Sequence, residues 1–225
     1  MLQTIVPVLA IAGLATAMTS TTAAELHAPT IAAFNRYVGL TEAQSDGEKP
    51  FLWVDNVTAT GDRRVDIVRG GKLLIEPFET RDRGQRIAIP DGLVHHWIGV
   101  VFVPGATADQ ALALLQNYDR HAEIYKPNVA RSRLVSRNGD DFKVYLRFFM
   151  KKVITVVMNS EHEAHFTRDA PSRFRSRIIS TRIAEVENPD TPREREKPVG
   201  NDGGYMWRLN SYWRVVERDG GVYIQ

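Results

Sequence analysis

The nearest thing to a chemical motif in this chain is His162-Glu163-Ala164-His165. Two imidazoles and a carboxylate in four residues suggest a metal ion. A helical zinc motif, however, needs two residues between the glutamate and the second histidine, so that both rings stand one turn apart. Here a single alanine intervenes, and the surrounding pattern is that of a strand. Side chains three apart on a strand point to opposite faces, so one ion could not take both rings. His95-His96 fails for the same reason. One of that pair is expected to be a core histidine with its ring hydrogen-bonded, the other to face solvent. The reading is therefore of no metal and no cofactor.

Nucleophilic catalysis finds little support. Ser160, Ser176, Ser180 and Ser211 fall in expected strands, and none lies in a Gly-x-Ser-x-Gly turn. Glu161 and Glu163 share one strand face, which reads as an exposed acidic edge more than a catalytic pair. Arg182 sits in an apolar run and, if buried, needs an acidic partner; Glu185 and Glu187 are the nearest in sequence. The aromatic and aliphatic stripes carry more. Trp207, Leu209 and Trp213 alternate on one side of an expected strand, and Phe148, Ile154, Val156 and Met158 on others. Together they could line a concave apolar pocket, with His162 and Ser211 as the few polar groups that orient a ligand. For any single one of these residues a plain packed core is at least as good a reading.

The elements that must position them centre on residues 142–166, FKVYLRFFMKKVITVVMNSEHEAHF. Phe142, Val144, Leu146, Phe148 and Met150 alternate with Lys143, Tyr145, Arg147 and Phe149, the period of a strand with one buried face. Lys151-Lys152 interrupts it. A second strand comes next, rich in β-branched residues, with Ile154, Val156 and Met158 on one face. Further strands are expected at 92–103, 130–136, 173–186 and 205–217, with a hairpin turn at Asn138-Gly139. Thr107 is placed to cap a helix that starts through Ala108-Asp109-Gln110. A short helical stretch at 119–125 stops at Lys126-Pro127. Residues 188–204 form a long polar loop, expected to flank the pocket mouth and to move.

At 225 residues and 43% hydrophobic, the chain suits one domain with an extension. Its 29 basic and 27 acidic residues nearly cancel to +2, which gives no case for nucleic acid as a partner. Residues 1–24 read as a secretory signal peptide, with an apolar core at 5–17 and small residues at Thr22-Ala23-Ala24 before the cleavage point. The expected location is therefore periplasmic or extracellular. Residues 25–90 form an N-terminal extension: a helix at 29–44 capped by Thr30, an apolar docking segment at 50–56, and a β-hairpin formed by 64–68 and 72–75.

The order from residue 91 onward is one strand, two short helices, then a run of antiparallel strands. With PGATADQALALLQNYDRHAEIYKPNVARSRLV at 104–135, it resembles the START-like (SRPBCC) helix-grip superfamily of lipid-transfer and polyketide-cyclase-like proteins. The resemblance implies an α+β fold in which a curved antiparallel sheet grips a long C-terminal helix over an apolar cavity. That helix is missing up to Gln225, so the domain at 91–225 reads as C-terminally incomplete. An amphipathic helix is expected to come after it, and without that helix the face bearing Phe148, Val156, Trp207 and Trp213 is expected to be an open groove. The function implied is non-catalytic binding of a lipid or other apolar small molecule, with which a transient membrane contact is compatible. The alternatives are a cyclase- or dehydratase-like enzyme using a cavity histidine or carboxylate as acid/base, and a structural interaction domain.

Overall fold

The computed structural model describes residues 24–47, 50–56, 64–151 and 155–225. The segment that reads as a signal peptide, up to residue 23, and the candidate residue Ile154 lie outside the described residues.

The strands of the main sheet are β1 (Leu74–Pro77), β2 (Trp97–Pro104), β3 (Val129–Asn138), β4 (Asp141–Lys151), β5 (Thr155–Ala170), β6 (Arg173–Glu187), β7 (Arg195–Glu196), β8 (Asn210–Arg218) and β9 (Gly221–Ile224). They make one sheet of nine strands in the order β1-β2-β9-β8-β6-β5-β4-β3, with β7 beside β6. Every pairing is antiparallel. The helices are α1 (Ala28–Gly47), α2 (Arg64–Arg69), α3 (Ala108–Gln116) and α4 (His121–Ile124). The fold is α+β, with two short helices between the first long strand and the remaining strands of the sheet, as a helix-grip layout requires. Among the described residues no helix is long and apolar enough to cross a membrane.

Cross-strand pairs sort the side chains onto two faces. Phe142, Val144, Leu146, Phe148 and Met150 of β4 stand opposite Ala164, His162, Ser160, Met158 and Val156 of β5. These in turn stand beside Ile178, Ser180, Ile183 and Glu185 of β6, and Trp213 and Val215 of β8 lie opposite Ser176 and Phe174. This is the inner face, because α3 packs on it: Ala108, Ala111, Leu115 and Tyr118 share a buried cluster with Phe142, Val144, Phe166, Phe174, Val215 and Val222. Helix α3 starts with the expected capping box, Thr107 and Gln110 bonding each other's backbone N–H. The Glu217 carboxylate accepts from Ala108 N–H at 2.7 Å, placing negative charge at the positive helix end. The turn after α3 is pinned to the β3 edge, where Asp119 accepts from Leu134 N–H and Ser132 from Ala122 N–H, both at 2.8 Å.

The N-terminal extension covers the opposite, outer face. Leu52, Trp53, Val54 and Val68 bury themselves against Val100 and Tyr223. Helix α1 presents Glu42, Ser45 and Asp46 to an arginine row on β6 and β8: Arg177 grips Glu42 with two bonds of 2.7 and 2.8 Å, Arg175 reaches Asp46, and buried Arg214 holds Ser45 Oγ and the Phe51 carbonyl, each at 2.7 Å. Tyr212 also donates to Glu42, and burial with that neighbour pushes its phenol up to about 12.

Four local expectations change. Residues 64–69 are helix α2, not half of a hairpin: Val65 and Val68 meet the outer-face cluster at helical spacing, and packing overrides β-branched propensity. Residues 72–75 pair instead through β1 with β2. Thr30 lies inside α1, buried and donating to the Pro90 carbonyl at 2.7 Å, and so does not cap it. The strand expected at 92–103 begins only at Trp97, with Leu93 85% exposed. The strand expected from Tyr205 begins at Asn210.

The polar loop is held more firmly than its composition suggests. It turns back as β7 onto β6. Over the outer face Arg147, 2% exposed, donates to Glu194 at 2.7 Å, with Asp190 at 3.7 Å. Asp190 also takes Arg131 at 2.6 Å, and Glu196 takes Asn159 at 2.8 Å and Arg182. The partner that Arg182 needs is thus Glu196. Arg147 beside it holds the Glu194 carboxyl below its usual range. On the inner face Lys197 reaches the Glu185 carboxylate at 2.9 Å, and the far end of the connection brings in Met206 and Leu209. Replacing Arg147 with Met is expected to free this hairpin. Hydrogen exchange at 188–196 should rise on the order of ten-fold while the β4–β5 core stays protected; unchanged exchange would mean that the ion pairs contribute nothing to its order.

Candidate functional site

Two apolar clusters occupy the inner face. One lies under α3, with Trp213, Ile178, Leu134, Leu146 and Ile224 packed at its margin. The other gathers Val156, Met158 and Ile183 with Phe148, Met150, Met206 and Leu209. Of the candidate ligand-binding residues, Phe148, Val156, Met158 and Leu209 therefore come together, while Trp213 belongs to the first cluster. Val156 and Met158 are buried, and Phe148, Leu209 and Trp213 are partly exposed. Ser211 stands opposite Ile178 on the same face. Trp207 precedes β8, so strand alternation no longer orients it; it joins neither cluster, and its indole N–H is buried without a partner among the described residues. Farther along the sheet, Ile75 and Trp97 lie on the inner side of β1 and β2 and are 55% and 59% exposed.

Between the two clusters runs a short polar row, Ser160, His162 and Ser180. Antiparallel pairing makes it: Ser160 stands opposite Leu146, and His162 lies between Val144 and Ser180. The Ser180 side chain accepts from Leu209 N–H at 2.8 Å, and the Ser180 N–H donates to the Leu209 carbonyl at 2.9 Å, fixing the entry to β8. The Ser160 hydroxyl lies 3.1 Å from the Leu146 carbonyl and 2.8 Å from His162 Nε2. A hydroxyl has one proton to give. Ser160 can give it to the Leu146 carbonyl or to Nε2, and the choice decides which ring nitrogen carries the hydrogen. The ring is 3% exposed, and Nδ1 has no hydrogen-bond partner among the described residues. Phe148 meets it edge-on, with centroids 6.1 Å apart. Burial disfavours the imidazolium and pulls its pKa from the ordinary 6.5 to about 4.

A second polar group lies at the α3 end. His121 is buried beside Tyr118 and Tyr125, with ring centroids 4.7 and 5.1 Å away. Burial lowers the His121 pKa and raises that of the Tyr118 phenol. His121 Nε2 and the Tyr118 hydroxyl are both buried without partners among the described residues. The sequence marks 119–125 only as a helical stretch; its histidine carries no periodic or motif signal.

The remaining candidates disperse. His165 is on the outer face, bonded to Asp141 at 2.7 Å, so it and His162 cannot share an ion. His96 bonds Tyr37 at 3.0 Å and His95 is exposed, as the adjacent pair should divide. Glu161 and Glu163 are both exposed. No group of three metal-ligating side chains occurs among the described residues. A surface depression at the start of α3, lined by Asp109, Arg168 and Pro171, holds an arginine already bonded to both Asp109 and the Pro171 carbonyl.

The strand order, the paired helices after β2 and the apolar inner face define an α+β fold in which one antiparallel sheet carries short helices on its inner face. No protein-family model matches the chain, and no curated protein matches it significantly. Among solved structures it is similar to a STAR-related lipid transfer protein from Xanthomonas axonopodis, with 17% identity and a TM-score of 0.41. The match covers 57% of this chain and 64%, less than two thirds, of that one.

The depressed pKa of His162 sets a pH signature. The unfolded chain binds a proton at this ring below about pH 6.5, and the folded chain only near pH 4. This contribution to stability is therefore complete above about pH 6.5 and is lost as pH falls towards 4, by up to roughly 3 kcal/mol. Between about pH 7.5 and pH 5, urea unfolding of the native protein should lose roughly 2 kcal/mol more than that of His162→Gln. Equal losses would show that the ring is solvated and ordinarily basic.

Proposed function

We propose that the protein is an exported module that binds a lipid or another apolar small molecule on the inner sheet face, without catalysis. One observation carries the binding reading: a buried histidine with a ring nitrogen unpaired among the described residues stands between two apolar clusters on the face that α3 covers only at one end. Native structures seldom leave such a group unpaired, and a ligand's polar end would satisfy it while its apolar body lies along Phe148, Leu209 and Trp213. Export rests on the sequence of residues 1–24. The balanced charge argues against nucleic acid, and a transient membrane contact at the exposed Trp97–Ile75 edge is compatible with loading.

An acid/base enzyme is the second reading, because His162 is unprotonated at neutral pH and so formally able to take a proton. A general base works best with a pKa near the operating pH. A group titrating near 4 is a weak base, which favours the binding role.

Full-length protein purified without detergent should release a stoichiometric apolar compound on solvent extraction and mass spectrometry. Trp213→Ala should weaken the binding of a fluorescent fatty-acyl probe and cost less than the ~3–5 kcal/mol typical of an aromatic removed from a sealed core. An empty protein that takes up no probe would overturn the reading. N-terminal sequencing of secreted material should begin at Glu25; a start at Met1 would overturn cleavage.

A further inference from the structure

Deepening the apolar-ligand reading, on which it rests, we propose that the ligand carries two hydroxyls separated by an apolar span, one received at His162 and the other at the Tyr118–His121 pair. Polar atoms buried without a partner among the described residues lie at both places: Nδ1 of His162 at one, the Tyr118 hydroxyl and Nε2 of His121 at the other. His162, Tyr118 and His121 are 3%, 3% and 7% exposed. The register sets their spacing. Leu134, Val144 and His162 stand side by side across β3, β4 and β5. Asp119 accepts from Leu134 N–H and Ser132 from Ala122 N–H, so the turn that carries Tyr118 and His121 is tied to β3 at this same level. Two strand spacings, roughly 10 Å, therefore separate it from β5, and one polar head cannot serve both places. What lies between them is apolar: Leu134, Val144 and Phe142, whose ring meets Tyr118 with centroids 5.6 Å apart. A hydroxyl suits both ends. It donates and accepts, so it pairs with a ring nitrogen in either tautomer and with the phenol in either sense. A carboxylate only accepts, and burial holds both imidazoles neutral, so neither ring offers it a positive charge. Since all three side chains are buried, the ligand enters by displacing Leu134 and Leu146, which are partly exposed at the margin of the first cluster. The remainder of its body keeps the surface of Phe148, Leu209 and Trp213.

Diols that differ only in where the hydroxyls stand separate the possibilities. The α,ω-diols of hexane, octane and decane, each beside its isomer with both hydroxyls at one end, are competed against a fluorescent acyl probe on the full chain at neutral pH. The best α,ω-diol should bind about ten-fold tighter than its isomer, the return for satisfying a second buried site. A ligand held at one polar end only would show the reverse order, because the one-ended isomer keeps the longer apolar tail. Tyr118→Phe and His121→Leu should each cut the preference about three-fold or more, and His162→Leu should abolish it. Tyr118→Phe loses only an unpaired buried hydroxyl and should unfold in urea no earlier than the native protein, which guards against a folding defect. An isomer that matches its α,ω partner, or a preference unchanged in all three variants, would overturn this proposal alone. If the acyl probe and every diol fail to bind, the apolar-ligand reading falls with it.

Discussion

The register between β4 and β5 is the constraint on which the other features of the sheet rest. Side chains alternate with period two, so a slip of one residue would exchange the faces. As paired, Leu146 meets Ser160 and Val144 meets His162. Lys143, Tyr145 and Arg147 are thereby sent outward, to Glu163, to Asn159 and to the 188–194 turn respectively. The alternative register would bury two cations among the inner clusters, each at a cost of several kcal/mol without a partner. On β6 a bulge continues the same logic: His162 pairs with Ser180 but Glu161 with Arg182, leaving Thr181 extra. That one residue lets even-numbered Phe174, Ser176, Ile178 and Ser180 and odd-numbered Ile183 share the inner face, and it turns Arg182 out to Glu196.

The outer face is where the chain's charge is used, and magnitudes decide how. Arg177–Glu42 and Arg175–Asp46 are solvated pairs, and such pairs contribute at most about 1 kcal/mol each. Leu52, Val54, Val68, Val100 and Tyr223 are essentially sealed, and burying a large aliphatic side chain contributes roughly 1.5–3 kcal/mol. The apolar cluster therefore anchors the extension, and the arginine row sets the direction and register of α1 across the sheet. Close packing elsewhere on this side leaves little slack: a Cβ at Gly221 would lie 2.5 Å from the Val103 carbonyl oxygen, so β9 can approach β2 only with glycine at that position.

How far the sequence can be read depends on whether the signal is local. The alternation in 142–150, the Asn138-Gly139 turn and the Thr107–Gln110 capping box are local, and each specifies its element. The α+β class comes from their order. Residues 64–69 mislead because Val65, Ile67 and Val68 fit a strand as well as a helix until Val100 and Tyr223 are known to cover them. The bulge at Thr181 hides because Ile178, Ile179, Ile183, Ala184 and Val186 are apolar on both faces, so no period can break visibly. The row Arg173, Arg175, Arg177 is plain in the sequence, but the α1 partners of Arg175 and Arg177 lie 129 and 135 residues away. Among the candidate site residues, His162 can be placed on a face by parity. Its unpaired nitrogen cannot, because that depends on which side chains of neighbouring strands pack against the ring.

The same burial that frees Nδ1 also limits what it can do. A histidine in water shares its lone pair with solvent and titrates near neutrality, available both as acceptor and as base. Surrounded by Val144, Phe148 and the Ser160 hydroxyl, this ring stays neutral and loses most of its basicity. Proton abstraction would create a buried imidazolium, whose desolvation is what lowers the pKa. Forming a hydrogen bond at Nδ1 creates no charge and relieves an unsatisfied atom worth about 1–3 kcal/mol. The surrounding favours the neutral ring over the charged one. His121 repeats the pattern at the α3 end, where desolvation again holds the ring neutral with Nε2 unpartnered among the described residues. Both imidazoles are thus held neutral by burial, each with one ring nitrogen unpaired among the described residues.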